Sequence, residues 1–279
     1  MLKITKNTRF EAGLITKTGR AICGAGGTKA VLSPPPSAPF PMNIAIAVTF
    51  GVASLAAHGV SKLNLKRHQK YRDQRAEQIL HEIRSSKNSP AFSLYLRSFI
   101  TTGKLLEMLE KKTILPFNYD DTDLEIFIAS AVEPFAPLVA LGKKGEQVGA
   151  GRIESSESDW QRLLKLLAEK AKLIFIIPYD SGGTKWEIDF IKKNKLIKKT
   201  IFVMPPQGIK SLNWSEQWRK VASSVKISGF QLPSYNTNGM LFSMVSSKKI
   251  KHSEDFIVEK SFRKMNKKIQ LYCKQVISI

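Results

Sequence analysis

The chain has 279 residues, 43% of them hydrophobic, which is enough for one well-buried domain with extensions. Its formal net charge of +21 suits an anionic partner, either lipid headgroups or nucleic acid phosphates. Two cysteines at opposite ends, Cys23 and Cys273, and four scattered histidines exclude a disulfide framework and lack metal-ligand spacing, so we expect a reducing compartment and no metal site.

Residues 1–41 carry one acid, Glu11, together with Gly24-Ala25-Gly26-Gly27 and the run Pro34-Pro35-Pro36. They show no apolar periodicity and read as a disordered basic N-terminal segment. Met42, just before an apolar run, is an alternative start. From Met42 to Ser61 there is no charge, and the length reaches the roughly 20 residues that span a bilayer. A cleaved signal peptide and a buried soluble helix compete with a retained transmembrane helix. The dense cluster that follows (Lys62, Lys66, Arg67, Lys70, Arg72 and Arg75) favours the anchor and places the following side in the cytoplasm. The expectation is a single-pass inner-membrane protein with a cytoplasmic C-terminal domain. Residues 62–90 continue as a basic, helix-favouring stretch, expected to be a solvated juxtamembrane linker helix attracted to anionic lipid. A nucleic-acid arm is the weaker reading, because the charge lies beside the anchor with little aromatic interleaving.

After Pro90 the signals alternate as βαβ units do, and residues 91–279 are expected to form one α/β domain. Phe92–Phe99 reads as the first strand. An irregular insertion over 100–121 follows, with a short helical piece at Leu105–Leu109. Thr122 and Glu125 have the spacing of a capping box opening a helix that stops before Pro137. Leu138–Leu141 is the second strand, followed by a glycine-rich loop over 142–152. Ser156 and Asp159 open a helix whose apolar face carries Trp160, Leu163, Leu164 and Leu167. Leu173–Ile177 is a short apolar run without alternation, as in a strand covered on both faces. Thr200–Met204 is another such strand, Trp214–Val225 a helix, Met240–Val245 an edge strand, and 254–274 a basic amphipathic helix. The sum is a flavodoxin-like parallel sheet with helices on both faces.

The chemistry is expected where Leu173–Ile177 passes through Ser181-Gly182-Gly183 into a helix, at the carboxyl edge of the sheet. Thr184 and Glu187 repeat the T-x-x-E spacing, so Glu187 is either the partner of a Thr184 cap or a carboxylate delivered to a site. Trp186, four residues before Phe190, either packs in the core or stacks on a ligand ring.

Four pieces in this order, LYLRSF, PLVALGKKGE, an Asp159-Trp160 helix leading to LIFIIP, and TKWEIDF, resemble a family of bacterial membrane-associated domains related to the TIR and nucleoside deoxyribosyltransferase group. The resemblance covers about residues 92–206. It implies a TIR-like fold, a catalytic glutamate at Glu187 that cleaves the N-glycosidic bond of NAD or a related nucleotide, and nucleotide binding by Arg97 and Ser98. It also implies self-association through the α/β domain and a role in bacterial antiviral defence. Beside it, the residues themselves make Gly142 and Lys143 candidates for a loop that closes over a diphosphate, with a turn and a solvated lysine as the ordinary alternatives. No cofactor is expected other than NAD as substrate. The competing function is a non-catalytic module that binds a nucleotide or a partner and keeps only the fold.

The uncharged run generates a direct expectation: the full chain sediments with membranes and resists carbonate extraction. Release by carbonate or by salt alone would assign the association to the basic cluster instead.

Overall fold

The computed structural model describes residues 67–85, 90–96, 124–145, 148–207, 213–255 and 262–277. All of them belong to one compact unit, Leu65–Ile279, and the expected N-terminal segment and anchor lie outside them. Among the described residues no helix is long and apolar enough to cross a membrane.

The centre of the unit is the apolar run that the sequence places there. Strands β1 (Ser93–Leu96), β2 (Leu138–Leu141), β4 (Leu173–Ile176) and β5 (Thr200–Met204) are buried along nearly their whole length. Their side chains alternate between two faces, and both faces are apolar, so each needs a covering layer. Helices α3 (Trp160–Lys170), α4 (Gly182–Lys193) and α5 (Trp214–Ile227) cover one face, packing against Leu94, Ile174, Ile176 and Phe202. Helices α2 (Leu124–Val132) and α6 (Phe262–Ile277) cover the other, over Tyr95, Ala140, Phe175 and Val203. With β3 (Gly151–Ile153), β6 (Met240–Ser246) and β7 (Lys249–Asp255), the sheet has seven strands in the order β3-β2-β1-β4-β5-β6-β7. The first five are mutually parallel, and the last two add by antiparallel pairing, β6 to β5 and β7 to β6. The fold is α/β, mostly parallel and flavodoxin-like, with helices on both faces.

Several local expectations are corrected. Residues 67–84 are helical (α1), but this helix is not a solvated linker. Gln69, Asp73, Ala76, Ile79, Leu80 and Ile83 are buried, and the apolar members join the core cluster under α3. Ala76, Ile79, Leu80 and Ile83 lie at the i, i+3, i+4, i+7 spacing of one helix face, a signal that the surrounding basic residues mask. Gly151 and Arg152, read as the end of a loop, belong with Ile153 to the edge strand β3. Met240–Ser246 is not an edge: β7, polar and exposed, lies outside it and takes Glu254 and Asp255 from the expected final helix. The expected strand end at 97–99 and the insertion over 100–121 lie outside the described residues.

The short β3 persists because α1 satisfies its backbone. Gln69 Nε2 donates to Ala150 O at 2.8 Å while Gln69 Oε1 accepts from Gly149 N at 2.8 Å. Arg72 Nη1 donates to Gly149 O at 3.0 Å, and Asp73 Oδ1 accepts from Arg152 N at 2.8 Å. Three side chains thus stand in for a neighbouring strand at a sheet edge. The approach demands glycine: a Cβ at Gly151 would lie 2.2 Å from Arg72 O. On the α2 side, Thr122 of the expected capping box lies outside the described residues, and Glu125 reaches β3. Its Oε1 accepts from Ala150 N at 2.8 Å and from Arg152 Nη2 at 2.6 Å, and both side chains are fully buried.

A buried pair of this kind is expensive to break from one side, because the survivor is left charged in the core. Arg152→Met is therefore expected to cost about 3–5 kcal/mol in denaturant unfolding, and Glu125→Leu/Arg152→Met together markedly less. A double-variant cost equal to the sum of the two single-variant costs would show that the pair is not coupled. Gly151→Ala should destabilise by about 1–3 kcal/mol or more through the clash with α1.

Candidate functional site

In a doubly wound sheet ligands bind beyond the carboxyl ends of the strands, where the chain reverses its direction of progress. Here that switch lies between β1 and β4: the chain leaves β1 towards β2 on one side and continues from β4 to β5 on the other. The two strands stay joined at this end, with Ile177 N donating to Leu96 O at 3.2 Å. From there the chain turns through Pro178 to Ser181 and enters α4, so the N-terminal turns of α4 border the switch point.

The start of α4 differs from the expected capping box. Ser181, with an extended backbone, is the N-cap: its Oγ accepts from Thr184 N at 3.2 Å and donates to Thr184 Oγ1 at 3.0 Å. A serine before two glycines was the available signal, since serine caps at least as well as threonine. Thr184 is then the third helical residue, and Glu187, three further on, has no capping duty.

Glu187 lies instead on the buried stripe of α4, with Thr184, Ile188 and Ile191, and is 8% exposed. Among the described residues no hydrogen-bond donor reaches Glu187 Oε2. Helical side chains lean towards their own N-terminus, which for α4 is the carboxyl edge of the sheet. Loss of hydration with no compensating partner pushes the carboxyl up to about 8, so in the free protein at neutral pH it is mainly neutral. A buried carboxylic acid of this kind at a sheet edge is a candidate reactive group.

The other candidates divide. Trp186 faces away from this stripe into an aromatic cluster. It meets Trp160 edge-to-face at 5.1 Å and stacks on Phe190 at 5.5 Å, with Lys165 Nζ 5.8 Å from its ring centre. Those contacts join α3 to α4, which is its ordinary packing role. Gly142 sits at the carboxyl end of β2, its N–H bonded to Ile153 O at 3.0 Å. With strands about 4.8 Å apart, it stands roughly 10 Å along the sheet from β4. Lys143 is exposed, while its neighbour Lys144 pairs with Glu77 of α1 at 3.0 Å, which raises its pKa. Arg97 and Ser98 lie outside the described residues. The sequence reading missed Asp180 in the turn, which pairs with Lys185 at 2.9 Å and accepts from Ser224 of α5 at 3.4 Å, fastening the turn to two helices. Among the described residues no cluster of histidine, cysteine or carboxylate side chains forms a metal site.

Comparison with protein-family models, with curated proteins and with solved structures returns no match to this chain.

The state of Glu187 makes stability depend on pH with a definite sign. Between the usual carboxylate range and about pH 8 the folded chain keeps a proton that the unfolded chain has released, so stability falls as pH rises through that window. Each unit corresponds to about 1.4 kcal/mol. Glu187→Gln, neutral throughout, is expected to melt close to wild type at pH 5 and several degrees above it at pH 8. A difference in Tm that stays constant across pH 5–8 would show that the carboxyl ionises in the folded state without cost.

Proposed function

We propose that the chain is a membrane-anchored, TIR-like effector that cleaves NAD or a related nucleotide at the N-glycosidic bond, acting in bacterial antiviral defence through self-association of the α/β domain. The observation that supports this reading is Glu187: a buried carboxyl without a donor at Oε2, on the helix that follows the switch-point strand. Resemblance at TKWEIDF assigns the same residue.

The chemistry follows from the neutral state of the free protein. A pyridinium ring brought near Glu187 is a positive charge, and in a site of low dielectric it draws the carboxyl towards its ionised form. As the bond between ring nitrogen and C1′ breaks, its electron pair neutralises the ring, and positive charge moves onto the ribose. The Glu187 carboxylate stabilises that charge until water adds at C1′ and gives up a proton. Arg97 and Ser98 would hold the nucleotide, and Gly142 and Lys143 the diphosphate. Trp186 serves the site by fixing α4 against α3.

The second reading, a non-catalytic binding module, is favoured by one fact: at 8% exposure Glu187 presents little surface to a sugar. Release of nicotinamide by the full chain, reconstituted in vesicles at high surface density, separates the two. Catalysis predicts that Glu187→Gln lowers kcat about a thousandfold, while its Tm at pH 5 stays near that of wild type. A wild-type chain that releases neither nicotinamide nor a free base from nucleosides, yet binds NAD in calorimetry, is the non-catalytic module.

A further inference from the structure

Helix α6 buries one side completely. Met265, Ile269, Tyr272, Cys273 and Val276 form a single stripe against the sheet and α2. Its opposite side contains no acidic residue over sixteen positions, about 24 Å of helix. Arg263, Lys264, Lys267 and Lys274 are exposed there. Among the described residues no carboxylate pairs with Arg263, Lys264 or Lys267 within 4 Å. Lys268, at the margin, is committed to Glu254 at 3.2 Å and to Asp255 O at 2.7 Å. Leu271 lies among these basic residues, one helical turn after Lys267, and is 53% exposed; Ile277 at the end is 39% exposed.

Helical geometry gives this face its meaning. At 100° per residue, Lys264, Lys267, Leu271 and Lys274 fall within a quarter of the helix circumference, directly opposite the buried stripe. A single half-exposed leucine is common on solvated faces, but set among lysines it also supplies what a helix lying on a charged bilayer needs: cations at headgroup level and an apolar side chain to enter between them. A duplex groove would favour arginine and side chains able to read base edges at the centre, where leucine stands.

We propose that the exposed face of α6, centred on Leu271 and flanked by Arg263, Lys264, Lys267 and Lys274, is a docking surface for an anionic lipid bilayer. The contact is independent of the uncharged run at 42–61. It lays the α6 side of the sheet against the membrane and leaves the α3, α4 and α5 side facing water.

The test uses the full chain with Cys23→Ser, in which the remaining native thiol, Cys273, is buried. An environment-sensitive dye is attached at Leu271→Cys, or at Ile227→Cys on α5 as the control on the opposite face. Vesicles are phosphatidylcholine alone or with about 30% phosphatidylserine. The expected result is a blue shift at position 271 with phosphatidylserine only, no shift at 227, and at least about a tenfold weaker response after Lys264→Glu/Lys267→Glu. The melting temperature of that exposed pair of substitutions checks that the fold is intact. No shift at 271, or an equal shift at 227, overturns the proposal. So does duplex DNA binding that is abolished by Lys264→Glu/Lys267→Glu while vesicles give no shift.

Discussion

Burial of the central strands on both faces is the constraint from which the remaining architecture follows. Ile174 and Ile176 point to one face of β4, Leu173 and Phe175 to the other, and all four are fully buried. At about 25 cal/mol per Å² of apolar surface, leaving either face wet would forfeit several kcal/mol per strand. The chain therefore supplies helices to both sides. Parallel pairing requires each return to pass over the sheet, and it is these returns that create a switch point between β1 and β4. The position of the candidate site is thus a consequence of hydrophobic burial some distance from it.

The two edges of the sheet are closed by different physics. At β3, helix α1 lends side-chain donors and acceptors to the backbone of residues 149–152, and Gly151 lets the helix come close enough to do so. At β7 the cover is lighter: α6 lends Lys268 Nζ to Asp255 O at 2.7 Å and the Tyr272 hydroxyl to His252 O at 3.0 Å. That edge is exposed, lysine-bearing and offset by irregular register around Met244, features that discourage pairing with another strand. Polar satisfaction matters more at the first edge, because the groups there are buried and each unmade bond would carry its full desolvation cost.

Two buried glutamates show how the same side chain serves structure or chemistry. Glu125 faces an arginine and a backbone N–H, and its interactions hold α2 to β3. Among the described residues no donor reaches Glu187 Oε2, and desolvation raises its pKa towards the range in which proton transfer at neutral pH is efficient. Nothing in the fold requires that cost, since glutamine or leucine would fill the position. An uncompensated buried acid at a sheet edge is the pattern expected where function opposes stability.

By itself the sequence determined the layered α/β class and the places of the apolar strands, because unbroken runs such as LIFII can be buried on both faces only in a covered parallel sheet. It also exposed the amphipathic stripe of α6, through the spacing of Met265 and Ile269. Only the tertiary structure decided that Ser181 rather than Thr184 caps α4, since both residue types cap equally well on paper. The same holds for residues 67–84, a helix whose many basic residues read as solvated although Ala76, Ile79, Leu80 and Ile83 line one face that meets the core. Strand β3 is the extreme case. Gly151-Arg152-Ile153 carries no strand signal, because what holds it extended is a set of hydrogen bonds from Gln69, Arg72 and Asp73, about 80 positions away in the chain, and a salt bridge from Glu125. Interactions between residues so far apart leave no local pattern to read.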